Sequence, residues 1–109
     1  MNKYFTVSQA QNFAFYKIPK ALFVDEKYKD LSTDAKMLYG LLLDRMYLSA
    51  KNGWIDKQGH IYQYFIIKQA QELLHFGHDK VIKLFKELEN VKLIERKRQG
   101  WFIVNKVDK

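Results

Sequence analysis

Lysine recurs at every third position in HDKVIKLFKELEN (78–90), as Lys80, Lys83 and Lys86, and the chain then runs through Arg96, Lys97, Arg98 and Gln99 to a glycine. Ammonium, guanidinium and amide donors at such spacing form charge-assisted hydrogen bonds with phosphate oxygens and reach guanine O6 and N7. His78 adds a ring nitrogen at the start of the same segment. Asp79 either caps a helix beginning there or accepts from a cytosine amine, and capping is the expected role. The whole chain carries 19 Lys and Arg against 12 Asp and Glu, a net charge of +7 over 109 residues. A small domain with that excess attracts polyanions. Nucleic acid, an anionic membrane or an acidic protein would each answer it, so placement has to choose among them.

Other chemistries find less support. Glu72, His75 and His78 recur every three residues, but Gly77 interrupts their register and no further ligand is evident. Cysteine is absent, which excludes disulfides and thiolate metal sites. No metal and no cofactor are expected. Gly53, Gly59, Gly77 and Gly100 stand singly and read as turn or cap glycines rather than as a phosphate-cradling loop. No nucleophile is placed beside a base, so catalysis is not expected. Trp54 and Trp101, with Tyr62 and Tyr64, offer a stacking platform for single strands. They alternate with other apolar residues, however, and core packing is the default.

These residues need a frame, and the chain has the length and the 48% hydrophobic content of one folded domain. Residues 1–30 read as an extended aromatic arm, with a short helix over Pro19 to Phe23. Tyr4, Phe5, Val7, Phe13 and Phe15 of that arm must pack on their own domain or on a second subunit, and are candidate dimerisation residues. The segment LSTDAKMLYGLLLDRMYLSAKNG (31–53) is the core helix: Ser32 is its N-cap, Asp34 suits the first turn, and Asn52-Gly53 ends it. WIDKQGHIYQYF (54–65) reads as a hairpin or a strand entered through a turn. Helical spacing returns with Ile66, Ile67, Ala70, Leu73 and Leu74, and breaks at Phe76-Gly77-His78.

From Asp79 to Asn90, Val81, Leu84, Phe85 and Leu88 fall on one side of a helix, and Asp79, Lys83, Lys86 and Asn90 on the other. VKLIERKRQGWFIVNK (91–106) then reads as a hairpin turning near Gln99-Gly100. Helix, break, helix and basic hairpin is the order of a winged helix-turn-helix, an α+β and mainly α fold within a single domain of residues 1–109. Residues 31–109 would form its core and wing. Strand alternation would send Arg96 and Arg98 one way and Lys97 the other. The second helix of such a motif enters the major groove of duplex DNA, and the wing lies along a phosphate ridge or enters the adjacent minor groove. Nothing resembles an export signal or a membrane span, so a cytosolic protein is expected.

Several stretches also resemble a known family. YKIPKALF (16–23), YKDLSTDAKMLYGLLLDRMYLSAKNGWID (28–56), GHIY (59–62) and KELENVKLIERKRQG (86–100) are similar to the N-terminal domain of the RepA_N plasmid replication initiators of staphylococci and related Gram-positive bacteria. The resemblance implies a winged-helix domain, dimeric, that binds repeated double-stranded sites at a plasmid origin and helps start replication. It further implies a C-terminal domain that engages host replication proteins. Family members usually follow the RQG with a Gly-, Pro- and Asn-containing turn and an IYV-like strand, where this chain has WFIVNKVDK (101–109). A protein-interaction module, in which arm and core helix form a homodimer or host-protein surface, is the competing reading. Transcriptional repression through the same DNA chemistry is a third.

Overall fold

The computed structural model describes residues 3–12, 14–53, 55, 57–64, 67–98 and 101–107. Its elements follow in the order α1 (Val7–Asn12), α2 (Ala21–Val24), a 3-10 turn (Glu26–Tyr28), α3 (Thr33–Lys51), β1 (Tyr62–Tyr64), α4 (Ile67–Leu74), α5 (His78–Asn90), β2 (Ile94–Arg98) and β3 (Trp101–Val104).

The arm is not extended throughout, as its alternation suggests, because α1 interrupts it. The reason is local. Thr6 Oγ1 accepts from the Gln9 N–H at 3.3 Å while Gln9 Oε1 accepts from the Thr6 N–H at 3.1 Å. This reciprocal cap satisfies two amides that an isolated helical turn leaves open.

Helix α3 starts and stops where its sequence says. Ser32 Oγ accepts from the Ala35 N–H at 3.1 Å, and the chain leaves through Gly53 at φ 76°. Ala35, Leu38, Tyr39 and Leu42 are fully enclosed, with Leu41 nearly so, and α5 and the sheet cover them from two sides. Gly40 has a separate duty. A Cβ there would lie 2.9 Å from Ile18 Cγ1 and 3.4 Å from the Lys17 carbonyl, so the residues leading into α2 pass against bare backbone. Gly40→Ala gains about 1 kcal/mol of helix propensity but forces a packed side chain aside at about 1–3 kcal/mol. A net loss of up to about 2 kcal/mol in urea unfolding is expected.

Strand order is β1-β3-β2, all antiparallel, with Tyr62 opposite Ile103 and Ile94 opposite Val104. In the segment before β1, a bridge joins Ile55 to Ile61 around Gly59 at φ 85°, and among the described residues the chain enters β1 through that turn. Fully buried Gln63 donates Nε2 to the Leu42 carbonyl at 2.9 Å, tying β1 to α3. On the opposite edge Asn105 donates its amide to the Leu93 carbonyl and its Nδ2 to the Lys92 carbonyl, both at 2.9 Å.

The Tyr39 hydroxyl donates to the Asn105 carbonyl at 2.6 Å. Burial, with Tyr28 nearby as a smaller cause, raises the Tyr39 pKa to about 12 from the ordinary 10.0. The fold therefore favours the neutral phenol, whereas an unfolded tyrosine ionises near pH 10. Tyr39's contribution is complete below pH 10 and declines as pH rises toward about 12. Tyr39→Phe should flatten that part of the stability profile, measured by urea unfolding across the alkaline range, and should cost about 1 kcal/mol at neutral pH.

Candidate nucleic-acid interface

Helices α4 and α5 are joined by three residues, and the joint is made without a glycine in the left-handed position. His75 takes it, at φ 59°, while Phe76 donates its N–H back to the Gln71 carbonyl at 3.3 Å. The same closure ends α5, with Lys92 at φ 63°, Leu93 N–H on the Leu88 carbonyl and Lys92 N–H on the Glu89 carbonyl. Gly77 is instead the extended N-cap of α5. It contributes no side-chain cap, and neither does Asp79, whose expected capping role is not observed. Asp79 is fully exposed in the first turn beside His78, where its charge still suits the helix dipole.

One stripe of α5, Val81, Leu84, Phe85 and Leu88, is buried as the spacing predicts. Phe85 meets Phe102 of β3 edge to face, with ring centroids 5.9 Å apart, so the helix and the wing behind it share one core. The outward stripe carries His78, Lys83, Lys86 and Asn90, all exposed. Neither Lys83 nor Lys86 has a side-chain partner among the described residues. Lys80 differs. Its Nζ lies 2.8 Å from Asp34 Oδ2 on α3 and 3.9 Å from the centre of the Phe76 ring. It is therefore engaged within the domain while still exposed.

The wing places Arg96 and Lys97 in solvent next to the end of α5. Arg96 donates Nε to Glu89 Oε1 at 2.9 Å, which holds the guanidinium in one orientation and leaves its other N–H groups for an anion. Lys97 keeps a loose 3.9 Å pairing with Glu95. The register slips between Arg96 and Arg98, which stand opposite Phe102 and Trp101 respectively. Two residues of β2 then face one of β3 at this bulge, and the direction of the Arg98 side chain, expected to match that of Arg96, lies outside what the structure describes. Gln99 lies outside the described residues, as does Phe13 of the arm. Tyr4, Phe5, Val7 and Phe15 are all exposed, from 65% to 79%.

Sequence reasoning missed Lys68, exposed in the first turn of α4, where the first helix of such a motif meets the backbone. A lysine at that position in the segment after β1 was a usable signal. It also missed the acids: Asp34 and Glu89, which hold Lys80 and Arg96, and Glu87, which accepts from both the Ser32 N–H and hydroxyl at 2.9 Å. Among the described residues no group of three His, Asp or Glu side chains converges as a metal site, and no helix is long and apolar enough to cross a membrane.

A three-helix core, a helix pair joined by a short turn, and a hairpin behind the second helix define a winged helix-turn-helix domain whose outer helix face is basic. The chain belongs to the family described as the replication initiator protein A (RepA) N-terminus, whose pattern it matches over residues 14–108. It is 38% identical over 102 residues to a 41 kDa protein of Lactobacillus helveticus, covering 94% of this chain and 29% of that relative's length. The fold is likewise similar to three solved structures, each with a TM-score of 0.80. One described as an MDR initiator is 42% identical and aligns over 95% of this chain and 86% of its own. The N-terminal domain of a DNA-binding protein is 39% identical, over 97% and 85%. A Rep–DNA complex is 39% identical, over 95% and 83%.

Proposed function

We propose that this domain binds specific double-stranded sites repeated at a plasmid replication origin and thereby helps start replication. Helix α5 enters the major groove, where His78, Lys83 and Lys86 meet base edges and phosphates, and Arg96 and Lys97 of the wing follow the neighbouring backbone. The carrying observation is the outward stripe of α5, whose lysines have no side-chain partner among the described residues while the stripe behind it is buried. The likeness to a protein solved in a Rep–DNA complex supports the same reading. The domain acts by binding alone, without a cofactor, in the bacterial cytoplasm.

Exposure of Tyr4, Phe5, Val7 and Phe15 favours a homodimer in which the arms supply the contact, so that two α5 helices address two half-sites. The chain spans about 29% of the length of the curated relative it matches, and contacts with host replication proteins are assigned to the remainder of such initiators.

The test is fluorescence anisotropy of the domain against a duplex carrying candidate origin repeats and against a scrambled duplex, through a salt titration. A preference of about a hundredfold or more that persists at physiological salt is expected, because nonspecific complexes weaken there to about 10⁻⁴–10⁻⁶ M. Equal, steeply salt-sensitive binding to both duplexes would refute sequence-specific recognition.

A further inference from the structure

Lys80 is the one lysine of the α5 series that is held from two sides, and its position runs against helix electrostatics. It stands in the first turn of α5, where the helix dipole disfavours a cation, and Asp34 Oδ2 meets its Nζ at 2.8 Å. Asp34 occupies the first turn of α3. The ammonium also lies 3.9 Å from the centre of the Phe76 ring, and Phe76, in the turn between α4 and α5, packs against the core. One side chain thus joins α3, the turn and α5. Seven residues further along α5, two helical turns, Glu87 accepts both hydrogen bonds from Ser32, the N-cap of the same α3. Two polar links, one cationic and one anionic, therefore fasten α5 to the first turn of α3 at points about 10 Å apart along its axis. The buried stripe seats α5 in the core, and two separated links restrain its direction where one would restrain only a single point.

The geometry points to Lys80 and Asp34 as a positioning pair that sets the angle of α5 against α3, acting on DNA through Lys83 and Lys86 and not through contact of its own. This rests on the DNA-binding reading above.

Asp34→Asn, Lys80→Met and the double variant form a cycle, with Lys80→Arg as the conservative replacement. Methionine keeps an apolar stem over Phe76. Each single change is expected to weaken cognate binding about two- to fivefold, with the double no weaker than either. The log–log salt slope should stay unchanged, and Lys80→Arg should restore affinity. A slope shallower by about one unit in Lys80→Met, together with tighter binding in Asp34→Asn, would mean that Lys80 contacts phosphate, and would overturn the proposal. Additive losses would overturn it as well. Amide hydrogen exchange in the first turn of α5 supplies a readout that needs no DNA: both single variants should speed it equally and the double no further. Unchanged exchange refutes the positioning role even if the wild-type domain proves not to discriminate between duplexes, an outcome that would sink the function and not this pair.

Discussion

Phe85→Ala is expected to cost about 3–5 kcal/mol in urea unfolding, about a fifth or more of what a domain of this size has to spare. Phe85 is 5% exposed and meets Phe102 edge to face, and it sits in α5 among Val81, Leu84 and Leu88, all buried. Truncation empties the point at which helix and wing share their packing and leaves a cavity between α5 and β3. Phe85→Leu keeps most of the volume and should lose under about half as much. If Phe85→Ala lost less than about 1 kcal/mol, the wing would not be packed against α5 as the structure has it.

The second large effect concerns binding and leaves the fold alone. Lys83 and Lys86 are exposed and without side-chain partners among the described residues, so Lys83→Gln with Lys86→Gln should change stability by no more than about 0.5 kcal/mol. On DNA the double variant should show a log–log salt slope shallower by about one unit, from the Lys86 phosphate contact. Lys83 lies nearer the helix N-terminus, the end that reaches base edges. Its replacement alone should cost about 1–3 kcal/mol on the cognate duplex and less on random DNA. Equal losses on both would make Lys83 a phosphate contact. A salt slope that does not move in the double variant would remove α5 from the interface.

What could be read from sequence divides along the range of the interactions involved. Helix α3 was legible because its determinants are local: Ser32, Asp34 and Asn52-Gly53 lie at the ends of an apolar period. The buried stripe of α5, and the order of helix, turn, helix and hairpin, were legible for the same reason. The α1 helix was local too, written in Thr6 and Gln9, but a six-residue helix carries too few turns for periodicity to register, and only the cap pattern announces it. The His75 turn escaped because the left-handed position normally favours glycine, and here the glycine stands two residues later. Partners of charged groups were the least legible. Asp34 and Lys80 are 46 residues apart, and no spacing rule connects them, so a lysine with an assigned internal partner looked the same as one facing solvent. Periodicity likewise placed Arg96 on a strand but not beside Glu89, and it could not foresee the slip before Arg98.

The double hydrogen bond from Ser32 to Glu87 has a further consequence for how such domains diversify. It fastens α5 from the side turned toward α3, together with the buried stripe, and takes nothing from the outward residues His78, Lys83, Lys86 and Asn90. Those four positions are thereby released from the upkeep of the fold. Changes at them should alter what the domain binds while the socket that seats α5 stays the same, much as one lock body accepts differently cut keys.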